Sequence, residues 1–171
     1  MTKPECLPGD IFCVGSSKLL GKMINHVQKF RALDNHSMYT HTGIILDTDG
    51  KTMESLWKIQ EYHLRHYSTL PVIIGRHKQM TPRLAEIGLK SIQYYMGRKY
   101  PIHRFFFHIL PIAKHVPTGS YLMCCDLVMA FLYICNLVTT YEGYNVDDIA
   151  DMIQTHKDFN IIFEDRLLNV T

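Results

Sequence analysis

The stretch from Leu122 to Val138, LMCCDLVMAFLYICNLV, is the feature that most limits what this chain can become. Its 17 residues carry only two strongly polar side chains, Asp126 and Asn136. A membrane-spanning helix needs about 20 predominantly apolar residues and tolerates a carboxylate poorly. The stretch therefore reads as a buried core helix from Met123 to Leu137, and the rest of the chain must supply the layers that cover it.

At 171 residues the chain is long enough to build one such core, and residues 1–171 are read as a single domain. Strand, turn and helix signals surround the apolar helix. Asp10 to Val14 follows the Pro-Gly turn of LPGD as a short strand, and Ser16 or Ser17 caps a helix running to about Ala32. Thr40 to Leu46 is strand-like, DTDG at 47–50 is turn chemistry, and Thr52 to Trp57 returns as the second arm of a hairpin. Val72 to Gly75 is a further strand. Thr81 and Pro82 open a helix that closes near Gly97, Asn145 caps another, and FNIIFE ends the pattern as a strand. The fold class expected is α+β, a small antiparallel sheet packed against helices.

Five cysteines, at 6, 13, 124, 125 and 135, form no C-x-x-C pair, so neither a disulfide framework nor a thiolate zinc site is expected. The pairs His63/His66 and His103/His108 lack partners at metal-ligand spacing, and no metal or other cofactor is expected. A formal charge of +2 with scattered Lys and Arg argues against a nucleic-acid partner. The first residues, MTKPECLPGD, have no apolar run of the signal-peptide kind, which makes the cytoplasm the expected compartment.

Two adjacent cysteines at the start of the apolar helix raise the question of a nucleophile. Counting from Cys124, the residues Leu127, Val128, Phe131, Leu132 and Cys135 form a continuous core-facing stripe. The row from Cys125 runs into Tyr133 and Asn136, which sets Cys125 on the flank. At the first turn of a helix, unpaired backbone N–H groups and the helix dipole lower a thiol pKa. Cys124 is thus the candidate nucleophile. His41 sits inside a strand, in YTHTGIIL, on one face with Gly43, which leaves room beside it. If DTDG forms a four-residue loop, Leu46 pairs with Lys51, Gly43 lies opposite Glu54, and Glu54 stands diagonally beside His41 on the same face. A two-residue loop would carry Glu54 out of reach; the four-residue loop is expected. Cysteine, histidine and acid together are the nucleophile, base and orienter of acyl transfer through a thioester.

These residues resemble a known family. PGDIF at 8–12, HTGIIL at 41–46, MES at 53–55, GRKY at 97–100 and CCDLV at 124–128 are similar, in that order, to the circularly permuted branch of the NlpC-type papain-like cysteine peptidases. That branch includes the YiiX/YebB-like hydrolases, poxviral members and relatives of lecithin retinol acyltransferase. The resemblance implies a permuted papain-like fold, His41, Glu54 and Cys124 as catalytic residues, and Tyr39, Tyr100, Cys125 and Asp126 as candidate substrate contacts. Cys125 stands where the family carries serine, and Tyr100-Pro101 where it often has Tyr-Asp. It implies a peptide or isopeptide amide as substrate, with a lipid acyl group as the alternative. A protein that keeps the fold for binding or assembly is the competing non-catalytic reading. Apolar residues 104–112 are assigned to the core, with membrane contact the less favoured reading. The host-cell cytoplasm or a virion is the compartment if the protein is viral, and oligomeric state is left open.

Overall fold

In the computed structural model, residues 4–15, 38–99 and 122–166 are described. The expected helix between Ser16 and Ala32, the aromatic stretch after Lys99 and Tyr100 itself lie outside them. The described chain runs through β1 (Ile11–Val14), β2 (His41–Ile45), β3 (Lys51–Ser55), β4 (Ile59–His63) and β5 (Pro71–His77). It continues through α1 (Pro82–Ile92), α2 (Cys124–Ile134), α3 (Val146–Thr155) and β6 (Phe159–Arg166). The strands form one antiparallel sheet in the order β4-β3-β2-β1-β5-β6. The fold is α+β, as the sequence pattern implies.

Strand alternation divides the apolar residues between the two faces of this sheet. One face, with Ile11, Cys13, Ile44, Met53 and Ile73, meets Leu127, Phe131 and Ile149 of the helices in the main core. The other face carries Phe12, Val14, Ile45, Val72 and Ile74, closed by Leu64 and Tyr67. Side chains as completely buried as Phe12, Ile44 and Phe131 each contribute about 1.5–3 kcal/mol by leaving water. α2 is buried from Cys124 to Met129 and at Phe131 and Leu132, and is exposed at Tyr133 and Ile134. Among the described residues no helix is long and apolar enough to cross a membrane.

Local chemistry accounts for the boundaries. Thr81 accepts Leu84 N–H at 3.2 Å to open α1, and Asn145 and Asp148 cap α3 reciprocally at 3.0 and 2.8 Å. α2 stops three residues before the expected Leu137. Asn136 takes a left-handed conformation, φ 56°, and the N–H groups of Asn136 and Leu137 return to the carbonyls of Tyr133 and Leu132 at 2.9 Å each. That is a Schellman ending with asparagine in place of glycine. β4 carries no strand signal in the sequence, because IQEYH lies on the sheet edge and buries only Ile59 completely.

The PGD turn before β1 is structural. Asp10 is fully buried, accepts Leu7 N–H at 2.8 Å and receives Arg76 Nε and Nη2 at 2.7 and 2.8 Å. This pairing ties the start of β1 to β5. Gly9 has φ +92°, and a Cβ there would lie 2.9 Å from Ala85 Cβ, so the turn also requires the small residue.

Candidate active site

The hairpin β2–β3 has the register that a four-residue turn imposes. Leu46 N–H donates to Lys51 O at 2.7 Å, and Gly43 stands opposite Glu54. His41 and Glu54 consequently share one face of the sheet, and His41 Nε2 lies 2.7 Å from Glu54 Oε2. The side chain of His41 is 13% exposed and that of Glu54 0%.

Gly43 does not leave open space beside His41, contrary to the sequence expectation. A Cβ there would come within 2.7 Å of Phe12 Cε1 and 2.9 Å of Glu54 Cγ. The volume of the missing side chain is taken by the Phe12 ring and by the glutamate that reaches toward His41.

Cys124 approaches from the opposite face. The paired stretch of β2 and β3 ends at Gly43–Glu54, so Thr42 N–H and Ser55 are released from that ladder. Ser55 Oγ donates to Leu122 O at 2.7 Å, anchoring the chain as it enters α2, and the Cys124 sulfur accepts from Thr42 N–H. Cys124 interacts with the His41 ring by hydrogen bond and by charge. Since Nε2 is committed to Glu54, Nδ1 is the ring nitrogen left for sulfur. α2 is therefore not a helix facing a histidine-bearing surface. It packs on the other side of the sheet, and Cys124, its first residue, reaches the imidazole.

The electrostatics follow from these contacts. Burial disfavours protonated His41, but hydrogen bonds and charge from Cys124 and Glu54 outweigh it and push its pKa up to about 10. The hydrogen bond from Cys125 is the largest influence on Cys124; it and His41 hold the thiol well below its ordinary range, although burial acts against them. Burial acts against ionised Glu54 as well, and hydrogen bonds from His41, Thr52 and Tyr67 override it and keep its pKa low. Both shifts favour a thiolate beside an imidazolium, backed by a buried carboxylate.

Tyr67 belongs to this cluster and carries no sequence signal, because it lies outside the hairpin in the 3-10 turn Leu64–Tyr67 after β4. Its hydroxyl donates to Glu54 Oε2, while Thr52 Oγ1 donates to Oε1. Its ring stacks at a tilt against His41, with centroids 6.2 Å apart, and against Phe12 at 6.0 Å. A tyrosine thirteen residues beyond Glu54 has no periodic relation to the His41–Glu54 pattern, so only the turn that follows β4 brings it in.

The candidate substrate contacts fare differently. Tyr39 is 5% exposed within the main core, where burial raises its pKa to about 12. Cys125 is not on an exposed flank: it is 2% exposed, more deeply covered than Cys124 at 6%, because the sheet and the rest of the core enclose the first turn of α2 on all sides. Its hydrogen bond to Cys124, ahead of burial, raises its own thiol pKa well above the usual range. Asp126 accepts Met123 N–H at 3.0 Å, a cap for the helix start. These three are placed in packing and helix-start roles. Tyr100 lies outside the described residues. All five cysteines are free thiols.

No protein-family model matches the sequence, and a search of curated proteins finds no relative. Among solved structures the chain is similar to one described as the crystal structure of metalloprotein yiiX from Escherichia coli O157:H7. The TM-score is 0.57 at 15% identity, covering 97% of this chain and 90% of that one. The protein thus has a YiiX-like fold. The metal in that description belongs to the neighbour; among the described residues here, no group of three or more His, Cys, Asp and Glu side chains could hold a metal ion.

Proposed function

We propose that the chain is a cysteine hydrolase of the permuted papain-like kind, cleaving an amide bond through a thioester. The observation that carries this reading is His41 hydrogen-bonded at once to Glu54, at 2.7 Å, and to Cys124 at the start of α2. Cys124 sulfur attacks the carbonyl carbon, and the oxyanion that forms is held by the Cys124 N–H, which at the first position of a helix has no intrahelical acceptor. His41 gives its proton to the leaving nitrogen as the C–N bond breaks. Neutral His41 then takes a proton from water, whose oxygen attacks the thioester carbon. The carboxylic acid leaves, and the thiolate and imidazolium are restored.

Because these shifts favour the ion pair before substrate arrives, His41 acts first as an acid. The sequence alone suggests a base that deprotonates Cys124 during attack. A preformed imidazolium favours amides, whose amine leaving group departs only when protonated. A peptide or isopeptide is accordingly the preferred substrate class over an acyl ester.

The test is mass spectrometry of the intact protein after exposure to peptide amides and to lipid acyl donors, beside steady-state hydrolysis. The expected result is an acyl adduct on Cys124 from the amide donors, and a loss of ~10³-fold or more in kcat for Cys124→Ala. Full activity in Cys124→Ala, or adducts confined to Cys125, overturns the reading.

A further inference from the structure

Glu54 is a buried carboxylate whose two oxygens are occupied from different directions. Oε1 takes the Thr52 hydroxyl from within the same strand, two residues away. Oε2 takes two donors, His41 Nε2 and the Tyr67 hydroxyl. The oxygen that meets the histidine is therefore also the one held from outside the hairpin. Tyr67 is itself fixed. Its turn begins with His63 Nδ1 accepting Arg65 N–H at 3.2 Å, its carbonyl accepts Leu70 N–H at 2.9 Å, and buried Leu64 donates its N–H to Gly50 O at 2.9 Å. Its ring then covers His41 and Phe12.

We infer that Tyr67 is a positioning residue of the site, clamping Oε2 of Glu54 so that the carboxylate stays aimed at His41. The inference rests on the cysteine-hydrolase reading above and names a residue that the hairpin and helix motifs do not contain. Glutamate has three side-chain torsions and would otherwise be free to turn either oxygen away from the ring. A hydroxyl on Oε2 restricts that rotation and supplies a donor that the buried charge requires. The titratable groups around this cluster are Cys13 on β1, His41 on β2, Glu54 on β3, Tyr62 on β4, and Cys124, Cys125 and Asp126 at the start of α2. Only Glu54, of these, receives the Tyr67 hydroxyl.

The test needs no substrate. Alkylation of Cys124 by iodoacetamide, followed against pH by mass spectrometry on the full chain, reports the thiolate directly. Tyr67→Phe keeps the ring and removes the donor. Glu54 then gains a proton more easily and swings away, the imidazolium loses its counter-charge, and the alkylation midpoint rises by about one unit. Thr52→Val, which removes the hydroxyl on Oε1, is expected to shift it less. A Tyr67→Phe midpoint that stays with wild type, or equal shifts in the two variants, overturns the positioning role. A wild-type midpoint near the ordinary thiol value of ~8.5 overturns the hydrolase reading instead, so the two failures are distinguishable.

Discussion

Gly43 is the residue on which the site's compactness depends, since both Phe12 and Glu54 occupy the space its side chain would take. Gly43→Ala drives a methyl group into an aromatic ring and a buried carboxylate chain. The expected cost is about 1–3 kcal/mol in urea unfolding, with a fall in activity as Glu54 is pushed off His41. Neighbouring Cys125 has a different function. Its thiol donates to the Cys124 sulfur, so Cys125→Ser, which keeps a donor, should leave the alkylation midpoint of Cys124 near wild type, whereas Cys125→Ala should raise it. His41, Glu54 and Cys124 could be read as candidates because each sits in a local pattern: a histidine within a strand, an acid across a turn, and a cysteine at a helix start. Tyr67 could not, because its only connection to them is through space.

Elements were legible where their ends carry local chemistry. The Thr81–Pro82 start, the Asn145 cap and the DTDG turn are short-range signals, and the structure contains all three. The end of α2 is not legible in the sequence because apolar residues continue past it; hydrophobicity does not reveal that Asn136 leaves the helical conformation. Asn136→Ala therefore tests the ending, and it should cost ~1 kcal/mol in thermal or urea unfolding, since asparagine adopts the left-handed region more easily than alanine. Asn136→Gly should be neutral or slightly stabilising. β4 is not legible for the converse reason: an edge strand that buries one side chain has no face to declare. Yet β4 leads into the turn that delivers Tyr67, so the element hardest to read supplies part of the site.

At the scale of the whole molecule, the charged pair predicts how stability follows pH. A folded His41 pKa near 10, against 6.5 ordinarily, gives stability that is complete below 6.5 and lost as pH rises through 10. A folded Cys124 pKa well below 9.0 gives stability that is complete above 9.0 and lost as pH falls through the depressed value. Above both 6.5 and the depressed Cys124 value, and up to 9.0, the two slopes cancel, because thiolate with imidazolium carries the same protons as thiol with imidazole. This pair thus contributes a plateau in urea-unfolding free energy across that range. Cys124→Ala leaves His41 paired with Glu54 alone, and its contribution should decline as pH rises above 6.5. A Cys124→Ala profile parallel to wild type would contradict the pair. The sequence by itself determined the α+β class and the hairpin register and put forward the three residues of the candidate site, because periodicity, turn length and helix position are local properties of the chain. Tertiary structure alone decided that α2 packs on the far face of the sheet and reaches His41 only where β2 and β3 part. It also decided that Cys125 is buried and that Tyr67 clamps Glu54. Each of these depends on which distant segments share a volume, a matter settled by packing around the sheet as a whole.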